Sequence, residues 1–399
     1  MVDWKTVIST LTSNVEDHFD TLKFRLQQRL GWEKPVQIIP YLGYGTREKI
    51  FVKGRVLRDK GITPPQDADS IWLNLLNMYK RYESDEIPHA RVRARFGGME
   101  QEVKADEEGY YVFTMDVTEP LPETQTLFDI EFELVSYPGE QHPDPVKAIG
   151  QVIIPPANAQ FGIISDIDDT VVRTDAVNLL KMARNVFLNN AHTRLPFEGV
   201  SAFYKALQLG TATTYNPIFY LSSSPWNIYD LLVDFFNVRG IPPGPLFLVD
   251  LGITPTQFIA PSHEQHKLGR IQKLMAEFPH LKFILIGDSG QRDPEIYLQA
   301  AVAYPGRILA IYIRDVTGEE RFKQVTDYGE NARKIETELI LVKDTAAASL
   351  HATTKGFILP QTLPAIEEER EEDKKEPVPA EQLLEEKEED PSLKSPSGT

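Results

Sequence analysis

Apolar positions change their period along the chain. Over residues 3–31 they recur three and four apart: Trp4, Ile8, Leu11, Val15, Phe19, Leu22, Leu26 and Leu30. This spacing predicts one long amphipathic helix over 1–34. Packing on its own protein is the plainest use of such a stripe, with a dimer seam or a membrane-surface helix as alternatives. Over 35–154 the pattern becomes short, β-rich and partly alternating, as in "VQIIPYLGYG", "KIFVKGRVLR", "ARVRARFGG", "GYYVFTMDV", "FDIEFELVSY" and "KAIGQVIIPP". It predicts an antiparallel, β-sandwich-like domain, interrupted by one helical excursion at "SIWLNLLNMYKRY".

After the linker "PPANAQ", the segment 155–360 alternates near-continuous apolar runs with helical patterns. The runs are "FGIIS", "PIFYL", "PLFLV", "KFILI" and "RILAIYI", with "ELILVKDTAAASLHATTKGFI" adding an edge strand and a helix. Unalternating strands are those covered on both faces, so the expected fold class is α/β with a doubly wound parallel sheet. From 361 to 399 the chain is rich in Glu, Lys, Pro and Ser and nearly free of aromatics, which predicts a disordered acidic tail.

Charge narrows the partners. The net charge is −17, of which 13 acidic and 5 basic residues in 361–399 contribute −8. No basic face for nucleic acid is expected, and any contact with an anionic membrane must be local. The 399 residues include no cysteine, which removes disulfides, thiolate metal sites and thiol catalysis. No apolar run approaches the ~18 residues of a membrane span, and the N-terminus lacks the apolar core of a signal peptide. The default is a cytoplasmic protein, with a peripheral place on a membrane if its substrate is a lipid.

In an open parallel sheet, the ligand site lies beyond the carboxyl ends of the strands. Here those ends carry Asp166, Asp168, Asp169 and Thr170; then Ser222, Ser223 and Ser224; then Asp250; then Gly287, Asp288, Ser289, Gly290 and Asp293; then Arg314 and Asp315. Clustered carboxylates repel one another unless a cation holds them. All-oxygen donors without cysteine suit Mg²⁺. The hydroxyls of "SSSPWNIY", placed before a helix, suit a phosphate, and Lys267 in "EQHKLGRIQKLM" is in the right chain order to neutralise it. His263 and His266 are spaced for zinc but have no evident third ligand, so a cap or a contact near Lys267 is expected of them instead. Trp226 and Tyr229 are read as core, with the lining of a lipid entrance as the alternative.

These residues resemble a known family. Asp166-x-Asp168-x-Thr170, Ser222, Lys267 and Gly287-Asp288-x-x-x-x-Asp293 are similar, in order, to the four motifs of the haloacid dehalogenase superfamily. More narrowly, "SDIDDTVVRT", "YLSSSPWN", "HKLGRI" and "IGDSGQRDPEIY" resemble the phosphatidate phosphatases of the actin patch protein family, whose catalytic domain is lipin-like. The resemblance covers about 155–355. It implies that Asp166 is a nucleophile forming an aspartyl phosphate, and that Asp168 is the general acid and base. It implies Mg²⁺ held by Asp166, Asp288 and the backbone carbonyl of Asp168, with Asp293 orienting from behind. Thr170, Ser222, Ser223 and Lys267 would hold the phosphoryl group, and Asp169 receives no role.

The intervals after Thr170 and after Ser224 are too short for a full cap domain. A minimally capped site suits a large or membrane-embedded substrate, so the expected activity is Mg²⁺-dependent hydrolysis of phosphatidate or a related phospholipid to diacylglycerol and phosphate. Two alternatives stand beside it: a phosphatase for another large phosphoester such as a phosphoprotein, and a non-catalytic phosphatidate-binding module. Oligomeric state is open.

Overall fold

Two sheets, one mixed and one parallel, organise the chain. The computed structural model describes residues 36–58, 86–138, 145–167, 199–212, 215–249, 263–316 and 318–373. The helices expected over 1–34 and at "SIWLNLLNMYKRY", and residues 168–198 and 250–262, which include parts of the intervals after Thr170 and Ser224, lie outside them.

The first sheet comprises β1 (Val36–Pro40), β2 (Gly43–Gly45), β3 (Lys49–Arg58), β4 (Arg91–Phe96), β5 (Met99–Lys104), β6 (Tyr110–Asp116), β7 (Leu127–Ser136) and β8 (Lys147–Ile153). Its order is β1-β3-β2-β8-β7-β4-β5, with β6 on β3. The antiparallel expectation needs correction, because β2 runs parallel to β8. Pro40, which has no N–H to offer a ladder, ends β1, and β2 continues in the same direction and meets β8 the parallel way. β1 and β2 form one broken strand along β3, and the Tyr41 amide donates to the Lys53 carbonyl across the break (2.9 Å). The strand β5 was missed because "MEQEVK" does not alternate apolar and polar residues. It is held on β4 by charge pairs, among them Arg91 with Glu102 (2.5 Å) and Arg95 with Glu100 (2.6 Å).

The second sheet is parallel and follows the expected alternation. Its elements are β9 (Gly162–Asp166), α1 (Val200–Leu209), β10 (Ile218–Pro225), α2 (Tyr229–Val238), β11 (Leu246–Val249), α3 (His263–Glu277), β12 (Phe283–Asp288), α4 (Asp293–Ala303), β13 (Ile308–Arg314), α5 (Glu319–Arg333), β14 (Leu339–Val342), α6 (Thr345–Thr354) and α7 (Leu363–Asp373). The strand order is β11-β10-β9-β12-β13-β14. The chain leaves β9 toward β10 and later returns to the other side of β9 as β12. That reversal opens a crevice at the carboxyl end of β9.

Adjacent residues on each strand feed opposite cores. Ile163, Ile284 and Ile286 pack with α1, α2, α6 and α7, whereas Ile164 and Leu285 pack with α3, α4 and α5. Both faces are therefore covered, which is why these strands are apolar at every position.

The mixed sheet docks onto this unit through aromatics. Tyr41 stacks on Tyr229 (centroids 3.9 Å apart) and on Trp226 (5.4 Å), and the Tyr229 hydroxyl accepts the Leu42 amide (2.9 Å). Trp226 and Tyr229 are thus core residues of the junction. One expectation fails at the other end: the acidic stretch from 361 begins with α7. Ile366 is buried in the core, and Arg370 pairs with Asp344 (2.8 Å), so this part of the stretch has an apolar anchor and charge partners.

Candidate active site

Each site residue is delivered by the end of a strand or the start of a helix. Asp166 closes β9, in register with Leu221 of β10, so Ser222 follows immediately beyond it on the neighbouring strand. Ser165 is level with Ile286 of β12, and Asp288 closes that strand two positions on. Asp293 opens α4, with Pro294 in the first turn, where its fixed φ suits a helix start.

Three of these residues meet below the surface. Lys267 is 1% exposed, Asp166 3% and Asp293 0%. Lys267 Nζ lies 2.8 Å from Asp166 Oδ1 and 2.8 Å from Asp293 Oδ1, and it donates to Gln291 Oε1 at 2.9 Å. The ammonium donates hydrogen bonds to Asp293 and Gln291 and is ion-paired with Asp166. A buried ammonium is tolerated only when paired and hydrogen-bonded, which explains why a lysine stands inside α3 facing the sheet.

Asp293 has a second task, since its Oδ2 accepts the Asp288 amide (3.2 Å). The approach is so close that a Cβ on Gly287 would run into the Asp293 carboxylate. The Asp288 side chain is fixed in turn, because its Oδ1 accepts the amides of Gly290 (2.8 Å) and Gln291 (3.1 Å).

The backbone under Asp166 is also held. The Ser165 hydroxyl donates to the Asp166 carbonyl (3.0 Å) and contacts the Tyr204 hydroxyl (2.6 Å), which therefore acts as donor to it. Burial, first of all, raises the Tyr204 phenol well above its ordinary value, so it remains a neutral donor. Tyr297 is raised in the same way by burial, then by the charges of Asp293 and Asp166, and it donates to the Ile286 carbonyl (3.0 Å). On the other side, the Ser222 hydroxyl accepts the Ser224 amide (2.9 Å) in the buried end of β10, where the register against β11 shifts.

The structure thus brings Asp166, Lys267, Asp288 and Asp293 together, with Ser222 and Ser223 at the end of the adjoining strand. Asp168, Asp169, Thr170 and Asp250 lie outside the described residues. Sequence reading missed Gln291, Tyr204, Tyr297 and Ser165. Gln291 lies inside "GDSGQRD", where it stands two residues before Asp293, but its type alone carried no signal. Oxygen donors, with Asp288 pre-oriented by two amides, are of the kind Mg²⁺ takes, but among the described residues no three carboxylates or histidines are gathered for a metal.

One comparison with known proteins concerns this segment. The family described as "Phosphatidate phosphatase APP1, catalytic domain" matches residues 161–315. The matched segment starts just before β9 and ends just after β13, so it contains Asp166, Ser222, Ser223, Lys267, Asp288 and Asp293. Over 182 residues the chain is 36% identical to phosphatidate phosphatase APP1 of Saccharomyces cerevisiae, which covers 44% of this chain and 29% of that protein. It is 29% identical over 246 residues to an uncharacterized protein of Schizosaccharomyces pombe, covering 61% of this chain and 38% of that one. The chain therefore spans about a third of the length of these curated relatives. A solved carbohydrate acetylesterase from Xanthomonas citri aligns with 74% of this chain and 75% of its own at 12% identity and a TM-score of 0.25, a likeness that carries no argument.

Proposed function

We propose that the chain is a Mg²⁺-dependent phosphoric monoester hydrolase acting on phosphatidate or a related phospholipid. The observation that carries this reading is the buried Lys267 between Asp166 and Asp293, with Asp288 ending the adjacent strand. The similarity of residues 161–315 to the APP1 catalytic domain supports the substrate class.

Asp166 and Asp288 would hold the metal, with the Asp168 carbonyl as a further ligand. Bound there, Mg²⁺ would supply positive charge against the phosphoryl oxygens. Asp166 attacks phosphorus, the bond from phosphorus to the diacylglycerol oxygen breaks, and Asp168 gives that oxygen a proton. Water then attacks the aspartyl phosphate while Asp168 takes a proton from it, releasing inorganic phosphate and restoring Asp166. Lys267 offsets charge on the transferring group, while Thr170, Ser222, Ser223 and the amides at the end of β10 bind its oxygens. Asp293 keeps Lys267 and the end of β12 in place. The family's fold, that of the haloacid dehalogenase superfamily, agrees with a nucleophile on the central strand.

No helix among the described residues is long and apolar enough to cross a membrane, so a peripheral place on the bilayer is the form of access we propose. The test is phosphate release from phosphatidate in mixed micelles, with and without Mg²⁺, beside a phosphoserine peptide and the Asp166→Asn variant. Metal-dependent release from the lipid alone, lost in Asp166→Asn, is the expected result. Release from the peptide alone would favour the phosphoprotein reading, and lipid binding with no release would favour a binding module.

A further inference from the structure

Asp288 and Lys267 both depend on the short loop between β12 and α4. The amides of Gly290 and Gln291 fix the Asp288 carboxylate, and the Gln291 side chain meets Lys267. Gly290 adds conformational freedom to this loop, so something must hold its backbone.

That holder comes from α5. Arg321 Nε donates to the Ser289 carbonyl (3.0 Å), and its Nη2 donates to the Gln291 carbonyl (2.7 Å). The same guanidinium forks onto Glu295 of α4, with Nη1 2.7 Å from Oε1 and Nη2 2.8 Å from Oε2. One planar group thereby ties the loop to the first turn of the helix that carries Asp293. Burial raises the Glu295 carboxyl, but the Arg321 hydrogen bonds, its own backbone amide and the charges of Arg321 and Arg292 together hold it below its ordinary value. Ser289 is tied from the far side as well: its amide donates to the Arg314 carbonyl (2.8 Å), and its hydroxyl accepts the Val316 amide (3.0 Å).

We propose that Arg321 is a positioning residue for the reaction: by pinning the Ser289–Gln291 backbone to Glu295, it keeps Asp288 aimed and Gln291 within reach of Lys267. Arg321 lies beyond the segment 161–315 that matches the APP1 catalytic domain. The proposal rests on the phosphomonoesterase reading for its kinetic consequence, but its geometric content is independent of that reading.

Arg321→Met keeps the apolar stem and removes the fork. With a short-chain soluble phosphatidate as substrate, kcat is expected to fall about 10–100-fold with KM within about twofold, as for other residues that orient ligands from behind. Arg321→Lys is expected to restore little, because an ammonium cannot serve two carbonyls and a carboxylate in one plane. Amide hydrogen exchange at Gly290 and Gln291 should quicken about tenfold or more in both variants while the strands of the parallel sheet stay protected. Glu295→Gln, which leaves Arg321 its carbonyl contacts but removes the anchoring charge, should show the same signs more weakly, and it stands in if Arg321→Met does not fold. A folded Arg321→Met with kcat within about twofold of wild type, or with unchanged exchange in the loop, overturns the proposal. A wild-type chain that releases no phosphate defeats the phosphomonoesterase reading instead, and the exchange measurement alone then decides whether Arg321 holds the loop.

Discussion

Lys267 Nζ and Asp166 Oδ1 stand 2.8 Å apart with both side chains 2% exposed, so the pair was desolvated when the sheet closed. Removing one partner leaves charge buried without its counterpart, which costs about 3–5 kcal/mol, more than the pair contributes while intact. Lys267→Ala is therefore expected to lower stability by that order, since it strands both Asp166 and Asp293. Asp166→Asn should be far milder, because Asp293 still faces the ammonium and the amide keeps the shape. Urea denaturation of the two variants checks the contrast, and equal losses would mean that Lys267 is held by something other than its carboxylates. On the proposed mechanism, Asp166→Asn also loses several orders of magnitude in turnover while folded.

Gly287 is a steric requirement. A methyl group there would displace the Asp293 carboxylate, which holds both Lys267 and the Asp288 amide. Gly287→Ala should destabilise by about 1–3 kcal/mol, as overpacked cores do. It should also lower turnover by more than that loss of folded protein accounts for. The comparison is kcat at a temperature where both proteins are fully folded. Unchanged turnover would mean that Asp293 can shift without consequence.

The parallel sheet was legible because strands covered on both faces are apolar at every position and sit between helical periods. The site was legible to the extent that strand ends can be read one after another, which named Asp166, Ser222, Asp288 and Asp293. Gln291, Tyr204 and Arg321 were not legible, since their parts depend on contacts between elements far apart in the chain. The same holds for β5, stabilised by cross-strand charge, and for α7, whose acidic composition concealed one buried isoleucine.

The junction between the two sheets should resist removal of a single hydroxyl only in part. Tyr229→Phe keeps the ring stacked on Tyr41 but leaves the Leu42 amide without its acceptor. A buried amide left unsatisfied costs about 1–3 kcal/mol, and the part-buried Leu42 amide should lie at the low end of that range. Tyr41→Ala removes two ring contacts at once and should cost more, about 3–5 kcal/mol for a large aromatic in a packed core. Chemical denaturation followed by tryptophan fluorescence, to which Trp226 contributes, would order the two. A Tyr229→Phe variant as stable as wild type would show that water reaches the Leu42 amide.

The helix α7 makes stability depend on pH in a direction opposite to most carboxylates. α1 has Gly199 at its N-cap and no cap from its own side chains. Acidic residues of α7 supply it instead: Glu369 Oε1 accepts the Ala202 amide (3.0 Å) and Asp373 Oδ2 accepts the Gly199 amide (2.7 Å). Burial, with the charge of Asp373, nevertheless raises the Glu369 carboxyl above its ordinary value, outweighing the Ala202 and Ser201 amides and Lys205, which lower it. A carboxyl whose folded pKa is raised favours the folded state most below its unfolded pKa, about 4.3, and that contribution is lost as pH rises through the folded value. Glu369→Gln keeps an acceptor for Ala202 and carries no charge. Its melting temperature should therefore exceed wild type at pH 7, and the advantage should shrink as pH falls toward 4. A chain ending at 362, compared with one ending at 373, should lose stability at every pH, because Ile366 and both caps go with the helix. A Glu369→Gln variant less stable than wild type at pH 7 would show that the charged cap outweighs its burial.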